Sequence, residues 1–129
     1  QALEQFQKAV KVKNDYANAW SEIGYIYLLK KQYQDAIKNY LTSLKYDPKY
    51  RFSLANLGYC YAQIEQYDSA IKYLKQAHEY HADYAWPSGY LGWLYRYRLN
   101  DNVNARYWYS EALKREPNNA DYQKNLSEL

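Results

Sequence analysis

The chain has 129 residues, a formal net charge of +3, and 24% charged and 19% aromatic residues. So small a net charge argues against nucleic acid as the main partner, because non-specific binding needs many phosphate contacts from a clustered basic face. A single cysteine excludes an intrachain disulfide and a cysteine-based zinc site. No apolar run approaches the roughly 20 residues that a membrane span needs, so no membrane segment is predicted.

The first predicted elements are a leading helix over about residues 2–12 and a pair of helices that follows it. The first helix of the pair has apolar residues at the i, i+3, i+4 and i+7 spacing of one helix face. These residues are Trp20, Ile23, Gly24 and Tyr27. The second helix has a similar face at Ala36, Ile37, Tyr40, Ser43 and Leu44. Asp47 and Pro48 predict its end, since proline cannot continue the helix before it.

The same pair of helices recurs along the chain with a fixed period. Glycines lie at Gly24, Gly58 and Gly92, two successive gaps of 34 residues, and a tyrosine follows each glycine three places later. A period between about 20 and 50 residues is the signature of a stacked repeat array, in which no unit can bury its own apolar face. Such arrays form long binding surfaces more often than catalytic pockets.

The glycine column predicts a close approach between helices. Glycine in a helix interior costs about 1 kcal/mol relative to alanine, so its recurrence indicates a neighbouring helix too close for a Cβ. We expect Ala36, Ala70 and Ala105 to form the other side of this contact. In the third pair, Pro87 fits the first turn of a helix. Pro117 ends the next helix, and a trailing helix is predicted from about Ala120.

These residues resemble the tetratricopeptide repeat (TPR), whose pattern is Trp-x2-Leu-Gly-x2-Tyr, then Ala-x3-Phe, then Pro. Residues 20–27 are close to a full match. Leu54 and Ser88 replace the tryptophan, and Ala82 replaces a proline. One extra residue before Ala105 leaves open the geometry of the nearby turn. The resemblance implies an all-α fold, a right-handed α-solenoid of antiparallel helix pairs known as the TPR superhelix.

We expect one TPR domain over residues 1–129, because no linker rich in glycine, serine or proline divides the chain. The resemblance covers about three full repeats and two flanking half-repeats. They fall at 2–16 (the second helix of a preceding repeat), 17–50, 51–84, 85–119 and 120–129 (the trailing helix). The polar residues of the trailing helix suggest a cap that covers the end of the array, and a cut through a longer array would look similar.

A predicted binding surface lies on the first helix of each repeat, on the face that packing leaves over. The position after each glycine is about 200° from the tyrosine column, since each residue turns a helix by about 100°. The resemblance implies that this stripe lines a concave groove for peptides in extended or helical form. The predicted groove residues are Tyr25, Phe52, Asn56, Tyr59, Trp86, Tyr90, Trp93 and Arg96. The alternative is that Tyr25, Tyr59 and Trp93 form only an inter-repeat ladder.

The best-known ligand mode of the family is a clamp of lysine, arginine and asparagine that grips the carboxylate of chaperone tails. The clamp positions fall on Ser21, Tyr25, Asn56, Trp86 and Tyr90. Only Asn56 matches, and every required cation is missing. The sequence therefore predicts no binding of acidic chaperone tails through that clamp. A more apolar or aromatic-rich segment is the expected ligand, with Arg96 pairing with a carboxylate near it.

No residue set indicates catalysis, a cofactor or a metal site. The only histidines, His78 and His81, would need further ligands to hold a metal. Cys60 is expected to be a buried small hydrophobe. The basic residues of the third repeat are expected to be solvated helix surface. They are Arg96, Arg98, Arg106, Lys114 and Arg115.

The predicted function is a non-catalytic scaffold or adaptor that binds a protein or peptide in an aromatic groove. Two alternatives are a self-association module that forms a homo-oligomer and the recruitment arm of a larger enzyme. An RNA-binding helical repeat is disfavoured, since related RNA-reading repeats have a 35-residue period and a different code. The absence of a methionine at Gln1 suggests a trimmed piece of a longer protein. The cytoplasm is the expected location, and a periplasmic one stays open.

Overall fold

The computed structural model describes residues 2–4 and 16–129, and within these residues every regular element is an α-helix. Residues 2–4 are helical, and the rest of the predicted leading helix lies outside the described part of the chain. Seven helices follow within residues 16–129. They are α1 (Tyr16–Leu29), α2 (Tyr33–Tyr46), α3 (Arg51–Gln63), α4 (Tyr67–Tyr80), α5 (Trp86–Tyr97), α6 (Asn102–Arg115) and α7 (Ala120–Ser127).

The predicted helix ends are confirmed where proline marks them. Helix α2 ends immediately before Asp47 and Pro48, and α6 ends two residues before Pro117. Pro87 lies in the first turn of α5. A proline in the first turn sacrifices no intrahelical hydrogen bond, because the first backbone N–H groups of a helix have no intrahelical acceptor.

The turns within the helix pairs share one backbone feature. Each contains a residue in the left-handed region, namely Lys31 at φ 60°, Glu65 at φ 62° and Asn100 at φ 52°. In the first two turns an amide donates to the carbonyl of the periodic tyrosine five residues before it, as from Gln32 to Tyr27 at 2.9 Å. Such a bond satisfies a carbonyl at the helix end.

The third turn absorbs the extra residue of its repeat without losing this bond. The Asp101 amide donates to the carbonyl of Tyr95 at 2.8 Å, a span of six residues. Asp101 also caps α6, since its carboxylate accepts from the Asn104 amide at 3.0 Å. The left-handed position falls on asparagine, which tolerates this conformation better than most residues.

The chain divides within α4 into two compact units, Gln1–Tyr73 and Leu74–Leu129. In the first unit, the Ser43 hydroxyl near the end of α2 donates to the Ala17 carbonyl near the start of α1, at 2.6 Å. These two helices therefore run antiparallel. A buried cluster joins them to α3. Its members are Ala36, Ile37, Tyr40, Leu57 and Cys60.

The second unit contains the end of α4 together with α5, α6 and α7. Helix α6 packs against α5 on one side and α7 on another. The fully buried side chains of α5 and α6 are a mixture of aliphatic, small and aromatic residues. They include Leu91, Leu94, Ala105, Tyr109 and Ala112.

The close approach predicted at the glycine column is present, and the nearest atoms across it belong to a tyrosine ring. A Cβ added to Gly24 would lie 2.9 Å from the ring of Tyr40, and one added to Gly92 would lie 2.9 Å from the ring of Tyr109. Each ring belongs to the residue four positions after the alanine that was expected on the other side. The glycine makes room for a whole phenol ring, because the ring lies directly on the opposite helix backbone.

Candidate functional site

A row of aromatic rings lies along one face of α5. Trp86 stacks on Tyr90 with ring centroids 4.9 Å apart, and Tyr90 stacks on Trp93 at 5.6 Å. Tyr97 continues the row, with its ring 5.7 Å from that of Trp93. Spacings of three and four residues place side chains on the same helix face. These four residues, the aromatic stack, form a continuous surface about three turns long.

Three residues of the aromatic stack line an open pocket of about 380 Å³. The pocket lies entirely within the second unit. Its lining residues come from α5, α6, α7 and the loop before α7. They are Trp86, Gly89, Tyr90, Trp93, Tyr109, Asn119, Asp121, Tyr122 and Asn125. Three of the predicted groove residues, Trp86, Tyr90 and Trp93, are therefore brought together.

Gly89 is a pocket residue that the periodic pattern did not reveal. It is the one glycine outside the 34-residue column. A Cβ at this position would collide with the end of the Tyr122 ring. The glycine therefore lets Tyr122 of α7 approach the backbone of α5. A glycine inside an otherwise helical segment was the available signal, since such residues often mark a close approach.

The Arg96 side chain forms hydrogen bonds with other residues of the same chain. Its side chain is only 17% exposed and donates to Asn125 Oδ1 at 2.9 Å and to Glu128 Oε1 at 3.0 Å. The guanidinium also lies 4.8 Å from the centre of the Tyr97 ring. The carboxylate that it contacts thus belongs to this chain, whereas the sequence interpretation assigned one from a ligand.

The basic residues of the third repeat are not simply solvated, as had been expected. Arg115 is partly buried and donates to the carbonyls of His78, His81 and Tyr84 at 2.7 to 3.0 Å. Arg98 lies over the Trp93 ring, 4.5 Å from its centre. Lys114, which is largely exposed, pairs with Glu111 on the same helix. The prediction of a solvated surface was therefore wrong for Arg96 and Arg115.

The predicted groove residues of the first unit lie on α1 and α3. Tyr25 is 45% exposed and Phe52 is 53% exposed, so neither ring is sealed against neighbouring helices. Asn56 is half-buried, and burial raises the pKa of the Tyr40 hydroxyl near it. Tyr59 is half-buried, and its ring meets that of Tyr33 edge to face with the ring centroids 6.5 Å apart.

A pocket of about 300 Å³ in the first unit lies away from these residues. It is lined by Tyr16, Ala17, Tyr46, Asp47 and Tyr50. The Tyr16 and Tyr46 rings meet edge to face at 5.0 Å. The Tyr50 hydroxyl donates to Asn18 at 2.7 Å. Tyr16 and Tyr50 thus lie beside this pocket, at the first residue of α1 and immediately before α3.

Cys60 and the two histidines occupy structural positions. Cys60 is fully buried, and burial raises the pKa of its thiol to about 12. His78 packs edge to face on Trp108 at 5.1 Å. Within residues 2–4 and 16–129, no group of three or more His, Cys, Asp or Glu residues is arranged to hold a metal ion. None of the helices in that same part of the chain has both the length and the apolar character needed to cross a bilayer.

Comparison with known proteins identifies the repeat. A family model of the tetratricopeptide repeat matches residues 15–81, and a second model of the same description matches residues 56–120. No curated protein matches the chain. The two matches together extend from α1 into the start of α7.

Solved structures have the same fold. A crystal structure of MamA is 18% identical, with a TM-score of 0.84, over 96% of this chain and 72% of that one. The first TPR of Spaghetti (RPAP3), bound to the HSP90 peptide SRMEEVD, is 22% identical with a TM-score of 0.80. It covers 89% of this chain and 91% of that one. From its repeat pattern, its helix pairs and these matches, the chain belongs to the tetratricopeptide repeat family and has an all-α solenoid fold.

Proposed function

We propose that the chain is a non-catalytic protein-binding module that holds a peptide or partner segment against the aromatic stack of α5. The observation that carries this proposal is the stack itself, four rings in a row beside an open pocket of about 380 Å³. Large aromatic side chains are enriched at binding hot spots, because they provide rigid contact area at low entropic cost.

The family and one structural neighbour support this proposal. Repeats of this kind stack into extended surfaces that contact other proteins. The first TPR of Spaghetti (RPAP3) is bound to the HSP90 peptide SRMEEVD. A peptide is therefore the class of ligand that we propose for this chain. The acidic tail of that peptide is not the expected sequence, since the clamp cations are missing here.

The test is to remove two rings and measure binding. Peptides selected from a random library on the wild-type chain would be titrated by calorimetry against a Trp86→Ala/Trp93→Ala variant. We expect the affinity to fall at least about tenfold, because each ring supplies contact area at the centre of the site.

Tyr107→Ala is the matched control, because Tyr107 is an exposed aromatic residue of α6 that does not line the pocket. Circular dichroism and thermal unfolding would show whether each variant keeps its fold. Unchanged affinity in a folded double variant would contradict the proposed surface.

A second candidate function is self-association, which two exposed apolar side chains on α6 favour. Val103 and Tyr107 are four residues apart and are 75% and 54% exposed. This spacing places them on one side of the helix, where a second copy of the chain could cover them. Light scattering at increasing concentration, with Val103→Lys as the disrupting change, would test it. A constant monomer mass would exclude this candidate.

A further inference from the structure

The pocket beside the aromatic stack has one charged side chain in its lining, Asp121. This residue lies in the first turn of α7. Its carboxylate makes no hydrogen bond or ion pair with any residue that the structure describes. Asp121 is exposed, so its carboxylate oxygens are open to donors from a ligand.

The two amide side chains of the pocket are partly engaged. Asn119 accepts from the Tyr122 amide at 3.0 Å and donates to Glu116 at 2.9 Å. Asn125 accepts from Arg96 at 2.9 Å and donates to the Asp121 carbonyl at 2.7 Å. An anionic group entering the pocket would therefore meet the carboxylate and find one of the two N–H donors of each amide already used.

Tyr109 lines the pocket without offering it an open polar atom. It is 2% exposed, and its hydroxyl is closed to solvent and has no hydrogen-bond partner among the described residues. Burial raises the pKa of this hydroxyl to about 12. It therefore stays neutral and adds no charge beside Asp121.

The aromatic stack already holds cations at its other end. The Arg98 guanidinium is 4.5 Å from the centre of the Trp93 ring, and the Arg96 guanidinium is 4.8 Å from that of Tyr97. The faces of aromatic rings attract cations through their quadrupole. Glu128 neutralises Arg96, and Arg98 is exposed and screened by solvent. Solvent screens Arg98 and Asp121 alike, since both are exposed, and Asp121 is the one charged residue in the pocket lining.

Resting on the proposed function, we propose that this pocket takes an arginine side chain of the bound segment. The guanidinium would lie against the rings and donate to the carboxylate of Asp121. Arginine fits better than lysine, because its planar group stacks on rings and has several donors in a fixed arrangement. A volume of about 380 Å³ is near the lower limit for ligand pockets, which suits one side chain.

The test uses blocked pentapeptides that differ only at the central residue, which is arginine, citrulline or glutamate. Citrulline has the shape of arginine without the charge. Binding would be followed by the NMR signals of the Trp86 and Trp93 indole N–H groups. We expect the arginine peptide to shift both signals, and the citrulline and glutamate peptides to bind at least about fivefold more weakly.

Asp121→Asn removes the proposed charge, and Asp68→Asn is its control. Asp68 lies in the first turn of α4 and is not part of the pocket, so both changes remove a first-turn carboxylate. We expect Asp121→Asn to weaken the arginine peptide about fivefold and Asp68→Asn to leave it unchanged. Equal binding of arginine and citrulline peptides, or of wild type and Asp121→Asn, would overturn the inference.

The same measurements separate this inference from the proposed function. If library-selected peptides need Trp86 and Trp93 but bind equally to Asp121→Asn, the aromatic surface stands and the arginine subsite falls. If the arginine peptide needs Asp121 but binds the Trp86→Ala/Trp93→Ala variant undiminished, the aromatic surface is contradicted. In that case the inference as stated also fails, because the rings are part of it.

Discussion

At the scale of single residues, two glycines of the second unit lie against tyrosine rings in different ways. Gly92 lies against Cγ, Cδ1 and Cδ2 of Tyr109, the base of a ring that is fully buried. Gly89 lies against the outer end of the Tyr122 ring, which is half-buried at the pocket edge. The first ring has no room to move, whereas the second can turn toward solvent.

Gly92→Ala should therefore be more destabilising than Gly89→Ala. We expect Gly92→Ala to lower the free energy of unfolding by about 1–3 kcal/mol, since overpacking a core outweighs the gain in helix propensity. Gly89→Ala should cost less and should displace Tyr122 from the pocket. Urea unfolding measures the first effect, and NMR of the Tyr122 ring measures the second. Equal losses of stability in the two variants would contradict this assignment.

Buried ionisable groups predict a loss of stability at high pH. Burial raises the pKa of Cys60 from 9.0 to about 12 and that of Tyr109 from 10.0 to about 12. Between these values the unfolded chain loses protons that the folded chain retains, so stability falls as the pH rises above about 9. Unfolding in urea at pH 8, 9, 10 and 11 would show this decrease. Cys60→Ala should make the decrease shallower, and an identical pH profile would contradict the contribution of Cys60.

At the scale of elements, Arg115 of α6 closes the C-terminal end of α4. Its guanidinium donates to the carbonyls of His78 and His81 at 2.7 and 2.8 Å and to that of Tyr84 at 3.0 Å. The last carbonyls of a helix have no intrahelical donor. One planar side chain therefore satisfies the end of a helix and the loop after it, through three donors in a fixed arrangement.

Arg115→Lys should not preserve this cap. An ammonium cannot span the three carbonyls in one plane, and hydrogen bonds to charged groups contribute about 1.5–3 kcal/mol each. We expect a lower melting temperature for Arg115→Lys, and a similar loss for Arg115→Met. Arg98→Lys is the control, because Arg98 is exposed and contacts only the face of Trp93 among the interactions described. Equal melting temperatures for wild type and Arg115→Lys would show that the cap contributes nothing.

His78 makes the same element sensitive to acid. Burial and the nearby Arg115 lower the pKa of His78 below its usual 6.5, while Glu111 partly opposes them. The unfolded chain therefore binds a proton before the folded chain does, and stability falls as the pH drops below about 6.5. Thermal unfolding between pH 7.5 and 5 would measure this decrease. His78→Gln should flatten it, and an unaltered slope would assign the decrease to other groups.

At the scale of the whole molecule, the 34-residue period predicted the features that all repeats share. It could not predict contacts that occur in one place only. The sequence predicted the helix ends at Pro48 and Pro117, the helix start at Pro87 and the family. Each of these depends on neighbouring residues or on the period itself. The sequence did not predict that a tyrosine ring lies nearest to Gly24, since an alanine and a tyrosine four residues apart lie on the same helix face. The pocket lining from α7 was missed because Tyr122 and Asn125 meet α5 only after the chain has folded.

The absence of a charged clamp gives the last prediction, that the chain does not bind the acidic segment MEEVD of the peptide SRMEEVD. This segment leaves out the arginine of the peptide, which the pocket next to Asp121 would take. The clamp positions have no cation, and Ser21, one of them, is buried. Arg96 is held by Glu128 and Asn125, so it is a poor substitute. Anisotropy of labelled MEEVD should remain constant up to millimolar chain. The first TPR of Spaghetti (RPAP3), which is bound to SRMEEVD in its structure, is the positive control. A micromolar Kd for this chain would show that other residues recognise the carboxylates.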